Sequence, residues 1–429
     1  MVEAGRLLVL EIEKPAAGGR MLARHQGQIV FVSGAIPGER VLARVERIAK
    51  GLAFAETIDV RFSSPDRRLV EGDWRCGGNV LAHVAYPRQL QLKGDILKDA
   101  FGRIARVPLP AVPTVIGSPE QGYRMRARLH AHDGRLGFYR EGTHHLCDAA
   151  QTAQLLPATN AWVAHAQSLL LAAPASVYGG LAGIEIAENI AGDVRACHLE
   201  LHPGVEASPF RALADGLVGL SAQRADGARS ETLAGTPVVT DAIRFRADAP
   251  EPVLNLQRDV RAFFQSNRFL LERLVRHVIA LVPPGPVVDL YAGVGLFGLS
   301  LAAAGAEGVT AVEGDPISGA DLRRNAQPFG DRVRVERRSV EEYLAGPGRQ
   351  APGAYVVDPP RTGMSKEALA AIVAAQPSTI VYVSCDVATL ARDTRLLLDG
   401  GYELGQLTGV DLFPNTAHVE TVALFARAR

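Results

Sequence analysis

Hydrophobic and polar residues alternate with a period of two through the first 60 residues of the chain, as in strands with one buried face. Turn residues, notably Gly18-Gly19 and Pro37-Gly38, separate the alternating runs. The runs are Leu8 to Ile12, Gln28 to Val32, Val41 to Val45 and Ala53 to Ile58. Several short strands in so few residues favour a small OB-like β-barrel over residues 1–60, a fold that often binds oligonucleotides.

The middle of the chain, residues 61–254, has mixed patterns and is predicted to form a central α+β domain. Residues 61–75 are charged and irregular, as in a linker. Apolar residues then recur at helical spacing from Pro87 to Arg106, and Pro87 suits the first turn of a helix. Residues 111–250 read as β-rich with helical interruptions, one of them over Thr159 to Ala172.

Beyond residue 255 strands alternate with helices, which predicts a Rossmann-like α/β domain with a doubly wound, mostly parallel sheet over residues 255–429. A helix is expected over residues 267–281. The strand-like runs that follow are Val287 to Leu290, Val309 to Val312, Arg332 to Val335, Ala354 to Val357 and Thr379 to Val383. The alternating run from His418 to Phe425 is expected to close the sheet.

Composition and charge narrow the class of protein. The 46 Lys and Arg residues balance 46 Asp and Glu, so net charge gives no indication of nucleic acid, although a local basic face would suffice to bind it. Acidic residues interrupt the apolar N-terminus, which excludes a signal peptide, and no apolar run reaches the about 18 residues of a membrane span. Four scattered cysteines form no disulfide framework, which favours a cytoplasmic location.

A glycine-rich segment follows the first strand of the predicted α/β domain. Gly293 and Gly295 allow the backbone to approach a ligand closely, and the helix N-terminus behind them favours negative charge. The next strand ends at Glu313, 24 residues after Asp289, where a carboxylate can accept both hydroxyls of a ribose. A nucleotide-like cofactor is therefore expected here, with an exposed strand-end glutamate as the alternative.

Cys385 follows a buried strand, and Glu420 lies 35 residues later in the closing strand. Residues at strand ends of an open α/β sheet face the ligand crevice, so the thiol and the carboxylate are predicted to share one cleft. Such a pair can supply a nucleophile and a base. The alternatives are a buried core cysteine and a solvent-facing glutamate.

These motifs resemble those of class I S-adenosylmethionine-dependent methyltransferases, in the Asp289 to Gly295 segment, Glu313 and Asp358-Pro359-Pro360-Arg361. Ser384-Cys385-Asp386, together with Phe413-Pro414 and His418-Val419-Glu420, further resembles RNA 5-methyluridine methyltransferases.

The resemblance also extends outside this domain. Residues 1–60, with Pro37-Gly38-Glu39, resemble the TRAM barrel of that family, and Phe263 to Asn267 resembles its entry motif to the catalytic domain.

The resemblance implies roles for individual residues. S-adenosylmethionine is expected to contact Gln265, Tyr291, Gly293, Gly295, Glu313 and Asp358. Cys385 is implied as the nucleophile that attacks C6 of uracil, and Glu420 as the base that removes the C5 proton before the thiolate leaves. The surroundings of Cys385 are expected to lower its pKa, with Arg361 and His418 as candidate cations.

Two further positions in the cofactor region can be compared with the family, and one of them departs from its pattern. Leu296 stands where the family often has Asn, so a polar contact is lost, whereas Ser339 stands where another side chain usually meets the cofactor.

Many members of the family hold an iron–sulfur cluster with four cysteines of the central domain. Here Cys76-Gly77-Gly78-Asn79 ends without the second cysteine of the pattern, and Leu69 to Trp74 and Thr152 to Pro157 contain none. Cys147 is nearby but displaced from the expected position. No metal and no iron–sulfur cluster is therefore expected, and packing must replace the cluster.

Basic and aromatic residues suggest an RNA-binding face. Arg124, Arg126 and Arg128 alternate, so a strand would place them on one face, and Phe138, Tyr139 and four histidines follow. A solvated charged strand is the alternative. The expected partner is RNA, with rRNA favoured over tRNA, and the expected state is a monomer without a membrane.

Three functions compete. The first is an RNA (uracil-C5)-methyltransferase that uses S-adenosylmethionine. The second is an N-methyltransferase acting on an exocyclic amine, suggested by Asp358-Pro359-Pro360, which would need no thiol. The third is a non-catalytic RNA-binding protein of the same fold. The presence of Cys385, Glu420 and the cofactor residues favours the first function.

Overall fold

A computed structural model describes residues 3–16, 18–227, 229–245, 253–346 and 353–428. Its first five strands close into a barrel in the order β1-β2-β3-β5-β4. They are β1 (Leu7–Pro15), β2 (Met21–His25), β3 (Gln28–Ser33), β4 (Arg40–Ala49) and β5 (Leu52–Phe62). The period-two pattern fills the interior, because Leu8, Leu10 and Ile12 are buried while their neighbours in β1 are exposed.

Helix α1 (Tyr86–Ala100) connects the barrel to the rest of the chain and continues as a π-helical turn over Phe101–Ala105. Pro87 lies in its first turn, where the missing backbone N–H would have no helical partner. Leu92 packs into the barrel core with Leu81 and Val84. The barrel and α1 therefore share a hydrophobic core.

The central domain contains a seven-stranded sheet in the order β13-β12-β11-β10-β7-β8-β9. Its segment of the chain comprises β6 (Val115–Ile116), β7 (Arg126–His132), β8 (Arg135–Tyr139), β9 (Leu146–Asp148), α2 (Pro157–Ala172), α3 (Ala175–Tyr178), β10 (Leu181–Glu188), β11 (Arg195–Leu201), β12 (Gly219–Arg224) and β13 (Glu231–Gly235). Helix α2 covers one face of the sheet through Trp162, Val163 and Ala166. The other face of β7 carries Arg126 and Arg128.

A hairpin of β14 (Val238–Arg244) and β15 (Val253–Asp259) leads to the last domain and spans the expected boundary at residue 254. The helix expected from residue 267 begins at Leu271. Asn267 holds the intervening residues in a turn, because its side-chain oxygen accepts the backbone N–H groups of Phe269 and Leu270 at 3.0 and 3.1 Å.

The last domain is built on an eight-stranded sheet in the order β18-β17-β16-β19-β20-β22-β21-β6. Its elements are α4 (Leu271–Leu281), β16 (Val287–Leu290), α5 (Leu296–Ala303), β17 (Val309–Val312), α6 (Pro316–Ala326), β18 (Val333–Glu336), α7 (Val340–Ala345), β19 (Ala354–Val357), α8 (Lys366–Ala375), β20 (Thr379–Ser384), α9 (Val387–Asp399), β21 (Tyr402–Val410) and β22 (Glu420–Arg427). The first five strands in the sheet order are parallel. Strand β22 inserts antiparallel between β20 and β21, and β6 joins the edge from the central segment.

Two apolar layers cover this sheet. Helices α4, α5 and α6 pack on one face, and α7, α8 and α9 pack on the other. The central parallel strands β16 and β19 are fully buried and, apart from Asp289, carry apolar residues and a tyrosine. The carboxyl ends of β16, β17, β19 and β20 meet at one edge, where ligands bind in this architecture. The predicted fold class is confirmed.

None of the helices in the described ranges is both long and apolar enough to cross a membrane.

Candidate active site

Cys385 and Glu420 lie side by side at the carboxyl edge of the sheet. Ser384, the last residue of β20, pairs with Thr421 of β22 in an antiparallel ladder. The next residue outward along β20 is Cys385, and the next outward along β22 is Glu420. Antiparallel register brings such residues opposite each other. The expected shared cleft is therefore present, with Glu420 buried and Cys385 half-buried.

Asp358 and Arg361 belong to the same cluster because they follow β19, the parallel neighbour of β20. Burial and the charge of Asp358 raise the pKa of Glu420, whereas Arg361 opposes that rise. Burial also raises the pKa of Asp358. Glu420 Oε1 has no hydrogen-bond partner among the described residues. Its carboxyl is thus free to accept a proton from a ligand.

The expectation that the surroundings lower the pKa of Cys385 is wrong. Burial and the charge of Glu420 raise this pKa to about 11, and Asp358 adds to the rise. The guanidinium of Arg361 lowers the pKa by its charge and a hydrogen bond, but it does not outweigh burial and two carboxylates. The free thiol is therefore protonated at neutral pH, and Arg361 is the cation placed to stabilise the thiolate.

His418, the other candidate cation, is ruled out for this role. Burial and the charges of Arg361, Lys93 and Arg124 lower its pKa to about 4. Its imidazole is therefore neutral at pH 7. Its ring lies edge-on to Phe413, with the centroids 6.1 Å apart, so it forms part of the wall of the cleft.

Glu313 and the glycine turn form the half of the site in which the cofactor is expected. One oxygen of Glu313 accepts the backbone N–H of Gly293 at 2.7 Å, and the other accepts that of Asp315 at 2.6 Å. Burial raises the pKa of Glu313, and these amide hydrogen bonds oppose the rise. A carboxylate has further lone pairs, so Glu313 can also accept hydroxyl groups of a ribose.

Backbone geometry explains both glycines of the turn. Gly293 has φ +57° and Gly295 has φ +101°, conformations that side chains disfavour. A Cβ on Gly295 would lie 2.5 Å from Leu299, whereas the space beside Gly293 is open. Tyr291 also has a positive φ of 61°, and its ring packs against the apolar layer beneath α7 and α8. The turn therefore leaves a bare backbone cradle at the helix N-terminus.

Gln265 and Asp289 join the two halves of the site. The amide of Gln265 donates to Asp358 at 3.2 Å, although the two residues lie on different elements. Asp289 accepts the N–H of Gly298 at 2.7 Å, and burial raises its pKa to about 8. Asp358 and Glu313 both add to that rise, which places Asp289 between the two halves.

Two weaker expectations concern Leu296 and Ser339. Leu296, the first residue of α5, is buried in the core. Ser339 caps helix α7, because its hydroxyl accepts the N–H of Glu342 at 3.2 Å while the side chain of Glu342 accepts the N–H of Ser339. This capping box accounts for Ser339 without a ligand.

A cavity of about 210 Å³ opens beside the thiol. Cys385, Asp386 and the segment from Thr416 to Val419 form one wall. Gly18 of the barrel and Gly77 and Glu141 of the central region form the other wall. All three predicted domains therefore contribute to the entrance of the candidate active site.

The expectation that the four cysteines form no disulfide framework meets one exception. Cys76 and Cys147 form a disulfide with a Cα–Cα distance of 5.8 Å, across 71 residues of chain. Cys197 is buried in the core of the central sheet, and Cys385 lies in the cleft. The cysteines therefore do not provide the four thiolates of an iron–sulfur cluster, and the described residues contain no other group suited to a metal ion.

The three arginines expected on one face differ in their surroundings. Arg126 pairs with Glu185 at 2.9 Å, and Arg128 pairs with Glu200 at 2.5 Å. Arg124 contacts the aromatic rings of the cleft instead, with its guanidinium 5.3 Å from the Phe138 ring and 5.7 Å from the Phe413 ring.

Aromatic residues lie further along the same sheet. His130 stacks on Tyr139 with the ring centroids 3.7 Å apart, and His144 lies edge-on to Tyr139 at 5.2 Å. The expected basic and aromatic residues are thus adjacent, although two of the arginines are already paired.

Comparison with known proteins gives matches to two family models and to proteins similar over nearly the whole chain. A TRAM domain model matches residues 2–58, and a model described as tRNA (Uracil-5-)-methyltransferase matches residues 350–428. The 23S rRNA (uracil(1939)-C(5))-methyltransferase RlmD of Chromohalobacter salexigens is 35% identical over 97% of this chain and 89% of its own. An RNA methyltransferase of Thermosynechococcus vestitus is 31% identical over 98% of both chains.

A solved structure has the same fold over nearly the whole chain. The tRNA (uracil-54, C5)-methyltransferase of Pyrococcus abyssi, in complex with S-adenosyl-L-homocysteine, superposes with a TM-score of 0.76. It is 22% identical and covers 97% of this chain and 99% of its own. The similarity therefore includes the barrel and the central domain as well as the sheet that carries the candidate site.

Proposed function

This chain belongs to the family of S-adenosylmethionine-dependent RNA 5-methyluridine methyltransferases, and we propose that it methylates C5 of a uridine through a covalent bond between Cys385 and C6. The observation that carries the proposal is the register of β20 and β22, which sets a thiol opposite a buried carboxyl. An N-methyltransferase would need neither group in this arrangement. Because the two functions differ in whether they need the thiol, Cys385 is the residue to test.

Cys385 begins the reaction as a nucleophile. C5 of uracil is a poor nucleophile until a thiolate adds to C6 and leaves enolate character at C5. Arg361 stabilises the thiolate, because it is the charged group that lowers the pKa of Cys385. S-adenosylmethionine, when bound, supplies an electrophilic methyl group on a sulfonium. Gly293, Gly295 and Glu313 form its cradle, with Tyr291, Gln265 and Asp358 around it.

Glu420 completes the reaction as a base. Once C5 carries both a methyl group and a proton, Glu420 takes the proton, the C5–C6 double bond re-forms, and the Cys385 thiolate leaves C6. Burial raises the pKa of Glu420, and a carboxylate with a raised pKa is a stronger base. The partnerless oxygen of Glu420 supports this role.

We propose rRNA as the substrate class, although the matching family model and solved structure are named for tRNA. The relative that is 35% identical over most of both chains is named for 23S rRNA, which supports rRNA over tRNA. The stacked rings of His130 and Tyr139 and the arginines beside them would suit contacts with single-stranded RNA. We further propose that the protein acts as a monomer in the cytoplasm.

Two measurements test the function. Nucleoside mass spectrometry of RNA from a deletion strain should show the loss of one 5-methyluridine and identify the RNA that carries it. RNA that contains 5-fluorouridine should form a covalent adduct with the protein, dependent on S-adenosylmethionine, because fluorine at C5 cannot leave as a cation. Cys385→Ala should abolish the adduct. Cys197→Ala, which removes a thiol from the central core instead, should retain it.

Undiminished 5-methyluridine formation by Cys385→Ala would contradict the covalent mechanism. Methylation of an exocyclic amine by the same variant would favour the N-methyltransferase alternative.

A further inference from the structure

A lysine and an aspartate are buried together where α1 meets the last domain. The ammonium of Lys93 lies 2.5 Å from Asp411, and both side chains are fully buried. Lys93 also donates to the backbone carbonyl of Phe413 at 3.1 Å, and Tyr86 donates to the other oxygen of Asp411 at 3.0 Å. Burial of two charges usually costs more than their attraction returns, so such pairs commonly fix a particular geometry rather than add stability.

Asp411 is adjacent in the sheet to the proposed base. Val410, the last residue of β21, pairs with Glu420, the first residue of β22. Asp411 is therefore the residue that follows the cross-strand neighbour of Glu420. Residues 411–419, hereafter the 411–419 loop, connect the two strands, and the last four of them form part of the cavity wall beside Cys385. Lys93 thus holds the start of this loop at the point where it leaves the sheet.

A second residue of α1 holds the middle of the loop. The side-chain amide of Gln89 donates to Asn415 Oδ1 at 2.8 Å, and its oxygen accepts the backbone N–H of Asn415 at 2.9 Å. Asn415 has φ +63°, a conformation that needs support from its surroundings. Gln89 is fully buried, so this pair is shielded from water.

Helix α1 itself is fixed to the barrel on its other side. Leu92, adjacent to Lys93, lies in the barrel core, and Lys14 of the barrel pairs with Asp99 of α1 at 2.6 Å. The 411–419 loop, which leads into Glu420, is thus attached through α1 to the N-terminal barrel.

We infer that Lys93 and Gln89 are positioning residues for Glu420. They hold the 411–419 loop, and with it the base, in the register that faces Cys385. This inference rests on the proposed function, because it assigns to Lys93 the alignment of the step in which Glu420 removes the C5 proton. Loss of that alignment should slow release of the methylated RNA more than formation of the adduct.

The test measures adduct and product together. Full-length protein is incubated with total RNA from a deletion strain and S-adenosylmethionine labelled in the methyl group. The ratio of protein-bound to free labelled RNA is read on a denaturing gel. For Lys93→Met we expect the ratio to rise about 10- to 100-fold, as for a small misplacement of a catalytic group. A merely structural defect lowers both species together and leaves the ratio unchanged.

Lys98→Met is the matched control, because Lys98 is exposed on the same helix and should keep the wild-type ratio. Calorimetry with S-adenosylmethionine checks that each variant is folded. If Lys93→Met does not bind S-adenosylmethionine, two other variants replace it. Lys93→Met/Asp411→Leu removes both buried charges, and Gln89→Ala leaves both in place. A folded variant of these with the wild-type ratio would overturn the inference.

Failure of the proposed function gives a different result. Wild-type protein would then form neither adduct nor 5-methyluridine. If wild-type protein forms both adduct and 5-methyluridine, and Lys93→Met has the same ratio of protein-bound to free labelled RNA as wild type, only the positioning role fails.

Discussion

Glu313 accepts the backbone N–H of Gly293 at 2.7 Å and thereby ties the end of β17 to the glycine turn that follows β16. The side chain serves two purposes in one place. It fixes the turn, and under the proposed function its remaining lone pairs would accept the hydroxyls of a ribose.

The first prediction follows from this contact. Glu313→Ala should weaken binding of S-adenosylmethionine by about 1.5–3 kcal/mol, because charge-assisted hydrogen bonds to the ribose are lost. Titration calorimetry measures the affinity, and Glu307→Ala, on an exposed loop, is the control. Unchanged affinity in Glu313→Ala would show that the ribose lies elsewhere.

The second prediction separates the two catalytic roles. Glu420→Gln keeps the shape of the side chain but removes the base, so methyl transfer proceeds while release fails. A covalent complex should accumulate on denaturing gels even with RNA that contains no 5-fluorouridine. Turnover should fall by about 10²-fold or more. Turnover within a few-fold of wild type would remove Glu420 from the mechanism.

The third prediction concerns pH. Burial and Glu420 raise the pKa of Cys385 to about 11, so the thiolate fraction grows about tenfold per pH unit through the neutral range. The rate of adduct formation at low RNA concentration should therefore rise between about pH 6.5 and 9, with the sign of a group that must lose its proton. A rate that is flat over this range would contradict the raised pKa and show that the thiol is already ionised in the free protein.

Arg361 and His418 provide a matched pair of variants for that profile. Arg361→Leu removes the cation that lowers the pKa of Cys385, so the rate at any one pH should fall while the rise with pH persists. His418 is neutral at these pH values because burial lowers its pKa to about 4, so His418→Gln should leave the position of the profile unchanged. A shift with His418→Gln alone would assign the cation to the imidazole.

The features that sequence predicts well here are local ones. Period-two alternation identifies the barrel strands, and apolar runs buried on both faces identify the parallel strands. Because ligands bind at the carboxyl ends of such strands, Cys385 and Glu313 could be predicted to lie at that edge of the sheet, and the resemblance to a family added their roles. The chemistry of a thiol opposite a carboxyl follows from the residue types.

The features that sequence does not predict depend on contacts between distant segments. Strand β6 has only two residues and no pattern, yet it extends the sheet of the last domain. The direction in which the pKa of Cys385 shifts depends on burial and on two carboxylates from other segments, which the local sequence does not reveal. The role of Lys93 depends on an ion pair with a residue that follows β21, and its helical position predicts nothing about that partner.

The last prediction concerns the pair of cysteines that occupies the region of the family's iron–sulfur cluster. Cys76 precedes Gly77 in the wall of the cavity, and Cys147 lies on β9, so their bond joins the cavity wall to the central sheet. Thiol titration of denatured protein prepared without reductant should find two free thiols, Cys197 and Cys385, and four after reduction. Cys76→Ser/Cys147→Ser should show two under both conditions.

Anaerobic purification followed by iron analysis and a visible spectrum should give colourless, iron-free protein, because two thiolates cannot replace the four that a cluster needs. Closing a loop of 71 residues should also contribute about 4 kcal/mol to folding, so reduction should lower the denaturation midpoint of wild type but not of the double serine variant. Four free thiols without reductant would contradict the disulfide and agree with the reducing cytoplasm proposed for this protein. Stoichiometric iron would instead make Cys76 and Cys147 ligands and require that Cys197 or a side chain other than cysteine complete the set.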